Sequence, residues 1–99
     1  MKKLKIGISG CLGRMGSELV KTIENNSKTE FSGGFEKENN PKIGMTIGEI
    51  LELKTKLILT DDAEKVFKES EVVVDFTTVE STNKNLYLAK KYKKPMVIG

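Results

Sequence analysis

A single open α/β sheet of parallel strands, in the order 3-2-1-4-5, is what this 99-residue sequence predicts. Three observations carry that reading. Segments of strand character alternate with segments of helical periodicity from one end of the chain to the other. The run Val72-Val73-Val74 is apolar and β-branched throughout, as in a strand covered on both faces by crossover helices. The first strand passes into the first helix through a loop holding Gly10, Gly13 and Gly16. Ninety-nine residues enclose one small core, so residues 1–99 are read as one domain.

Between Lys3 and Ser9 the apolar Leu4, Ile6 and Ile8 alternate with Lys3, Lys5 and Gly7, which is the period of a first strand. From Arg14 onward the period changes. Met15, Leu19, Val20 and Ile23 share one side of a helix, and Asn25-Asn26-Ser27 stops it. A second strand runs from Glu30 to Glu36, with Gly33 and Gly34 inside it. Lys37 to Gly48 is polar and contains Asn39-Asn40-Pro41, so it reads as a loop, followed by a short helical turn at Ile47 to Leu51.

Leu57 to Thr60 reads as a short third strand. Asp61 or Asp62 can cap the helix after it, and Asp61 with Glu64 fits a capping box ahead of Val66 and Phe67. The fourth strand spans Glu71 to Thr77. Glu80 to Lys91 then reads as a helix, with Leu86, Leu88, Ala89 and the adjoining Tyr92 at helical offsets and Ser81 or Thr82 available as caps. Lys90, Lys91, Lys93 and Lys94 crowd the end of this helix, where the negative end of its dipole favours cations. Pro95 to Ile98 is a fifth strand, and Gly99 follows it.

Composition narrows the function. The 37% hydrophobic and 31% charged residues describe a soluble globular chain, and no apolar run is long enough to span a bilayer. The N-terminus meets Gly7, Ser9 and Gly10 before a signal-peptide core can develop, so a cytoplasmic protein without a membrane partner is expected. One cysteine and no histidine argue against a disulfide framework and against a metal site. A proton-transfer catalyst would have to be Lys, Asp, Glu or Tyr. The net charge of +3 comes from lysines interleaved with glutamates, and Arg14 is the only arginine, which argues against nucleic acid as a partner.

The stretch Gly10-Cys11-Leu12-Gly13-Arg14-Met15-Gly16 stands between a strand and a helix. There a dinucleotide pyrophosphate meets free backbone N–H groups and the positive end of the helix dipole, the arrangement of a Rossmann-type domain. Gly10 allows the tight turn, Gly13 the close approach of backbone to phosphate, and Gly16 the packing of the helix. The spacing is G-x-x-G-x-x-G rather than the commoner G-x-G-x-x-G, and the alternative is a glycine-rich turn with no ligand.

Glu36, at the end of the second strand, can accept hydrogen bonds from the adenosine ribose hydroxyls, while Lys37 can pair with a 2′-phosphate. Together they imply both NADH and NADPH as cofactors; the alternative is a solvated pair at a strand end. Cys11, at a helix N-terminus, is either a thiol with a lowered pKa and a redox role or a small side chain that fits the loop. Asp75, with Phe76 and Thr77, either borders the nicotinamide ribose or anchors a loop by hydrogen bonds.

The string Gly10 to Gly16, with its Arg14-Met15 pair, resembles the G-x-x-G-R-M-G phosphate loop of the 4-hydroxy-tetrahydrodipicolinate reductase (dihydrodipicolinate reductase) family of bacterial lysine and diaminopimelate synthesis. Val74-Asp75-Phe76-Thr77 resembles that family's V-D-F-T strand end, and Met96-Val97-Ile98-Gly99 the start of its V-I-G-T-T-G segment. The resemblance implies hydride transfer from NADH or NADPH to a cyclic dicarboxylate, 4-hydroxy-tetrahydrodipicolinate, by a homo-oligomeric parent enzyme. It implies that Gly10, Cys11, Leu12, Gly13, Arg14 and Met15 contact the pyrophosphate, Glu36 the ribose and Lys37 the 2′-phosphate. Phe76 and Thr77 would border the cofactor, and Gly99 would open the nicotinamide-binding turn.

The family's histidine- and lysine-bearing substrate domain has no counterpart here, so a single truncated domain is expected, without catalytic residues, without turnover of its own and with weak cofactor binding. The family also carries a basic residue and a proline after D-F-T, where this chain has Thr78 and Val79. Two other readings are a free-standing NAD(P)-binding regulatory module and the cofactor domain of another small dehydrogenase, such as aspartate or homoserine dehydrogenase. Arg14-Met15 and Asp75-Phe76-Thr77 argue against the latter.

Overall fold

The computed structural model describes residues 2–99. In chain order its elements are β1 (Leu4–Ser9), α1 (Arg14–Glu24), β2 (Thr29–Phe35), α2 (Ile47–Leu51), α3 (Ala63–Glu69), β3 (Val72–Asp75), α4 (Val79–Tyr92) and β4 (Met96–Ile98). The strands form one parallel sheet in the order β2-β1-β3-β4. Helices cover both faces. Ile8, Val20, Ile23, Phe31, Ile47 and Leu59 form a core between the sheet, α1 and the segment 43–59. Phe35, Val66, Phe67, Val73 and Ala89 form a second one under α3 and α4. Phe67 is fully buried, and its truncation to alanine would cost about 3–5 kcal/mol.

The expected third strand does not join the sheet, so the order 3-2-1-4-5 is corrected to four strands. Residues 57–59 give their backbone groups to the preceding loop instead: Ile47 N–H donates to Leu57 O at 2.8 Å, Leu59 N–H to Met45 O at 2.8 Å, and Gly44 N–H to Leu59 O at 2.9 Å. Only Thr60 reaches β2, through one parallel bridge to Phe35.

Helix starts and faces also shift. Asp62 is the N-cap of α3, accepting from Lys65 N–H at 3.2 Å, so the Asp61–Glu64 capping box does not form. Glu64 is drawn to α4 instead, where Lys91 Nζ lies 3.0 Å and Tyr92 Oη 2.5 Å from its carboxylate. α4 begins earlier than expected because Thr78, not Ser81 or Thr82, caps it, its side chain accepting from Ser81 N–H at 3.3 Å. Leu86 and Met15, expected on buried faces, are 44% and 63% exposed. α1 buries Val20 and Ile23 as expected, with Leu19 packed on the same core and Gly16 in the place expected for Met15, and α4 buries Asn85 and Ala89. In β3 only Val73 and Asp75 are fully covered, while Val72 and Val74 are half-buried.

Candidate functional site

β1 ends at Ser9 against the sheet centre, and the chain turns at Gly10, whose φ of +78° is a left-handed conformation that glycine adopts without strain. Gly10 N–H donates to Phe35 O at 3.0 Å, and Gly13 N–H to Gly10 O at 3.2 Å, so the loop is folded back on the end of β2. Gly16 is required by a backbone atom: a Cβ there would stand 2.1 Å from Gly10 O. The helix therefore rests on the loop's carbonyl rather than on a strand side chain. Gly13 is the N-cap of α1 and supplies no side-chain bond. The amides of the first turn, Arg14, Met15 and Gly16, have no intrahelical acceptor and lie at the positive end of the dipole.

Glu36, one residue past β2, reaches the same loop, where its Oε2 accepts from Leu12 N–H at 2.8 Å. A groove of about 930 Å³ opens along the carboxyl ends of β1, β2 and β3, and Gly10, Gly13, Glu36, Lys37, Phe76 and Thr77 all line it. The other expected site residues, Cys11, Leu12, Arg14, Met15 and Gly99, are not among those that line it. Leu12 is half-buried and packed on the first core, while Arg14 and Met15 are exposed at the start of α1. Gly99 donates its N–H to Asp75 O at 2.8 Å, and a Cβ on it would stand 2.3 Å from the Phe76 ring.

Cys11 is fully buried, its Sγ filling the space left by Gly34, where a Cβ would lie 2.6 Å from the sulfur. Burial, with the Glu36 carboxylate second, pushes its thiol pKa up to about 12. The lowered pKa and redox role considered for Cys11 are overturned by this burial, and the packing alternative describes the structure.

Asp75, also fully buried, anchors the loop after β3. Its Oδ1 accepts from Thr77 N–H at 3.2 Å, from Thr77 Oγ1 at 2.5 Å and from Asn85 Nδ2 at 3.4 Å, and its Oδ2 accepts from the Thr82 hydroxyl. Asn85 Nδ2 also donates to Ser9 Oγ at 2.9 Å, joining β1, β3 and α4 beneath the groove. Sequence reasoning missed Asn85, Ser81 and Lys84, which line the groove from α4. Their signal is spacing: Ser81, Lys84, Asn85 and Leu88 stand at i, i+3, i+4 and i+7, a polar groove-facing stripe beside the apolar one.

Comparisons bear on this geometry. In structure, the chain is similar to an aspartate semialdehyde dehydrogenase with NADP from Candida albicans, at a TM-score of 0.78 and 13% identity over 99% of this chain and 30% of that one. It is similar also to a pyrroline carboxylate reductase with NADP bound from Plasmodium falciparum, at a TM-score of 0.63 and 21% identity over 99% of this chain and 34% of that one. At such identities the likeness is one of fold. In sequence, a 4-hydroxy-tetrahydrodipicolinate reductase of Ehrlichia chaffeensis is 33% identical over 100% of this chain and 37% of its own length. That of a Wolbachia pipientis strain from Culex pipiens is 38% identical over 98% of this chain and 38% of its own. The chain thus spans little more than a third of the relatives it matches. Residues 4–99 match the family model described as dihydrodipicolinate reductase, N-terminus, and the chain belongs to that family.

Proposed function

We propose that this domain binds NADPH and NADH, and that, joined to the remaining part its relatives possess, it serves hydride transfer to 4-hydroxy-tetrahydrodipicolinate. The observation that carries the reading is the groove itself: Gly10 and Gly13 of the glycine loop line the same space as Glu36 and Lys37, and the unbonded first-turn amides of α1 follow directly on Gly13. The amides and the dipole suit a pyrophosphate. Glu36 keeps Oε1 for ribose hydroxyls while Oε2 holds Leu12 N–H, and Lys37 offers a point charge to a 2′-phosphate. Phe76 and Thr77 line the groove after β3, and Gly99, bonded to Asp75 O, follows β4; these positions suit the nicotinamide half.

Every residue in this assignment binds or orients; none is given a proton-transfer role. The nicotinamide supplies the hydride when the cofactor is bound. A cytoplasmic setting and a homo-oligomeric parent belong to the same reading. Titration with NADH and NADPH, followed by nicotinamide fluorescence, tests it. Lys37→Ala is expected to weaken NADPH more than NADH, and equal weakening would remove the 2′-phosphate assignment. Reductase turnover by the 99-residue chain alone would overturn the division of labour between this domain and the rest.

A further inference from the structure

α4 presents one face to the groove. Ser81, Lys84, Asn85 and Leu88 all line it, and the two residues flanking Lys84 toward the sheet are fixed. Asn85 is held by Ser9 and Asp75 at the ends of β1 and β3, and Leu88 is packed on the second core, to which Phe35 at the end of β2 belongs. Lys84, next to Asn85 and one turn before Leu88, thus lines the same space as Lys37.

The charges of that space do not follow those of the chain. Four carboxylates line the groove, Glu36, Glu38, Asp61 and Glu80, against the two lysines Lys37 and Lys84, a formal balance of two negative charges in a chain of net charge +3. The ion pairs among the described residues, Lys2–Glu71, Lys21–Glu18 and Lys91–Glu64, use neither groove lysine. Both ammonium groups are thus available to a ligand. A phosphomonoester carries close to two negative charges at neutral pH, and beside Glu36 and Glu38 one lysine does not balance it. The pyrophosphate has its own donors in the first-turn amides of α1.

We infer that Lys84 is a second cation for the 2′-phosphate of the adenosine half, facing Lys37 in the groove, and that it sets how well the domain accepts NADPH relative to NADH. The inference rests on the dinucleotide reading above and deepens it. ¹⁵N-resolved NMR titrations of the chain with NADPH, NADH, 2′,5′-ADP and 5′-ADP test it, because they register weak binding and report the fold at the same time. Lys84→Ala is expected to weaken NADPH and 2′,5′-ADP at least about fivefold, while NADH and 5′-ADP change less than about twofold. Lys84→Arg, which keeps the charge, retains the parental ratio. Equal weakening of all four ligands by Lys84→Ala, or no change in any, overturns the assignment and leaves the dinucleotide reading standing. A parental chain that binds none of the four removes both.

Discussion

Replacing Gly16 by alanine isolates the contact on which the loop and α1 depend. The added Cβ would lie 2.1 Å from Gly10 O and 3.0 Å from both Cys11 Cα and Gly10 C. All three are backbone atoms, so no side chain can swing aside, and loop and helix must part by about 1 Å. The parting also draws Val20 and Ile23 from the first core. Overpacking of this kind costs about 1–3 kcal/mol, and the rigidity of both partners places this site near the top of that range. Alanine's better helix propensity returns at most about 1 kcal/mol. A net loss of about 2 kcal/mol follows, which in a domain of this size lowers the melting temperature by about 10 °C. Thermal unfolding followed by far-UV circular dichroism measures it. A melting temperature equal to or above that of the parent would refute the reasoning, since propensity acting alone raises it.

Gly13→Ala is the counterpart, because its Cβ meets only Gly10 O, at 3.5 Å. Stability is expected to stay within about 1 kcal/mol, while calorimetric titration shows NADPH affinity reduced at least about tenfold; unchanged affinity would remove the pyrophosphate from this position. Cys11 is expected to ignore a thiol reagent at mildly alkaline pH until denaturant is added, given burial and a pKa pushed up to about 12, and rapid labelling of the folded chain would contradict that. Asp75→Ala leaves the Thr77, Thr82 and Asn85 donors without their acceptor and is expected to cost about 3 kcal/mol in urea unfolding, with Asp75→Asn costing less. Glu64 is held below its ordinary 4.5 by hydrogen bonds from Tyr92 and Lys91. Its contribution is therefore complete above 4.5 and fades as pH falls through the lower folded value, so the stability gap between the parent and Tyr92→Phe narrows on acidification.

Period and punctuation made the strands, α1 and the glycine loop legible, because each depends on residues near in sequence. β1 needs only its alternation, and the loop needs only three glycines at the right spacing. What escaped depends on partners far along the chain. Residues 57–60 have the composition of a strand, yet the backbone groups of Leu57 and Leu59 are taken by residues 44–47, and only Thr60 is left to pair with β2. Leu86 has helical spacing, but the sheet is met instead by Asn85, whose amide is taken up by Ser9, 76 residues earlier. Glu36 was readable as an acid at a strand end, whereas its bond to Leu12 N–H depends on where the loop folds. Lys84 was hidden for a similar reason: the six charged or polar residues in a row from Glu80 to Asn85 look alike until the groove selects one face.

The bond between Glu36 and Leu12 has an entropic consequence. With Gly10 tied to Phe35, Gly13 to Gly10, and Leu12 to Glu36, the glycine loop is held in place with the groove empty. Ordering a loop of this length at the moment of binding would otherwise cost about 1–2 kcal/mol per residue. Here folding has already absorbed that cost, so the free energy of any ligand contact with the loop is left for affinity, and backbone order parameters of residues 10–13 should be the same with the groove empty or filled.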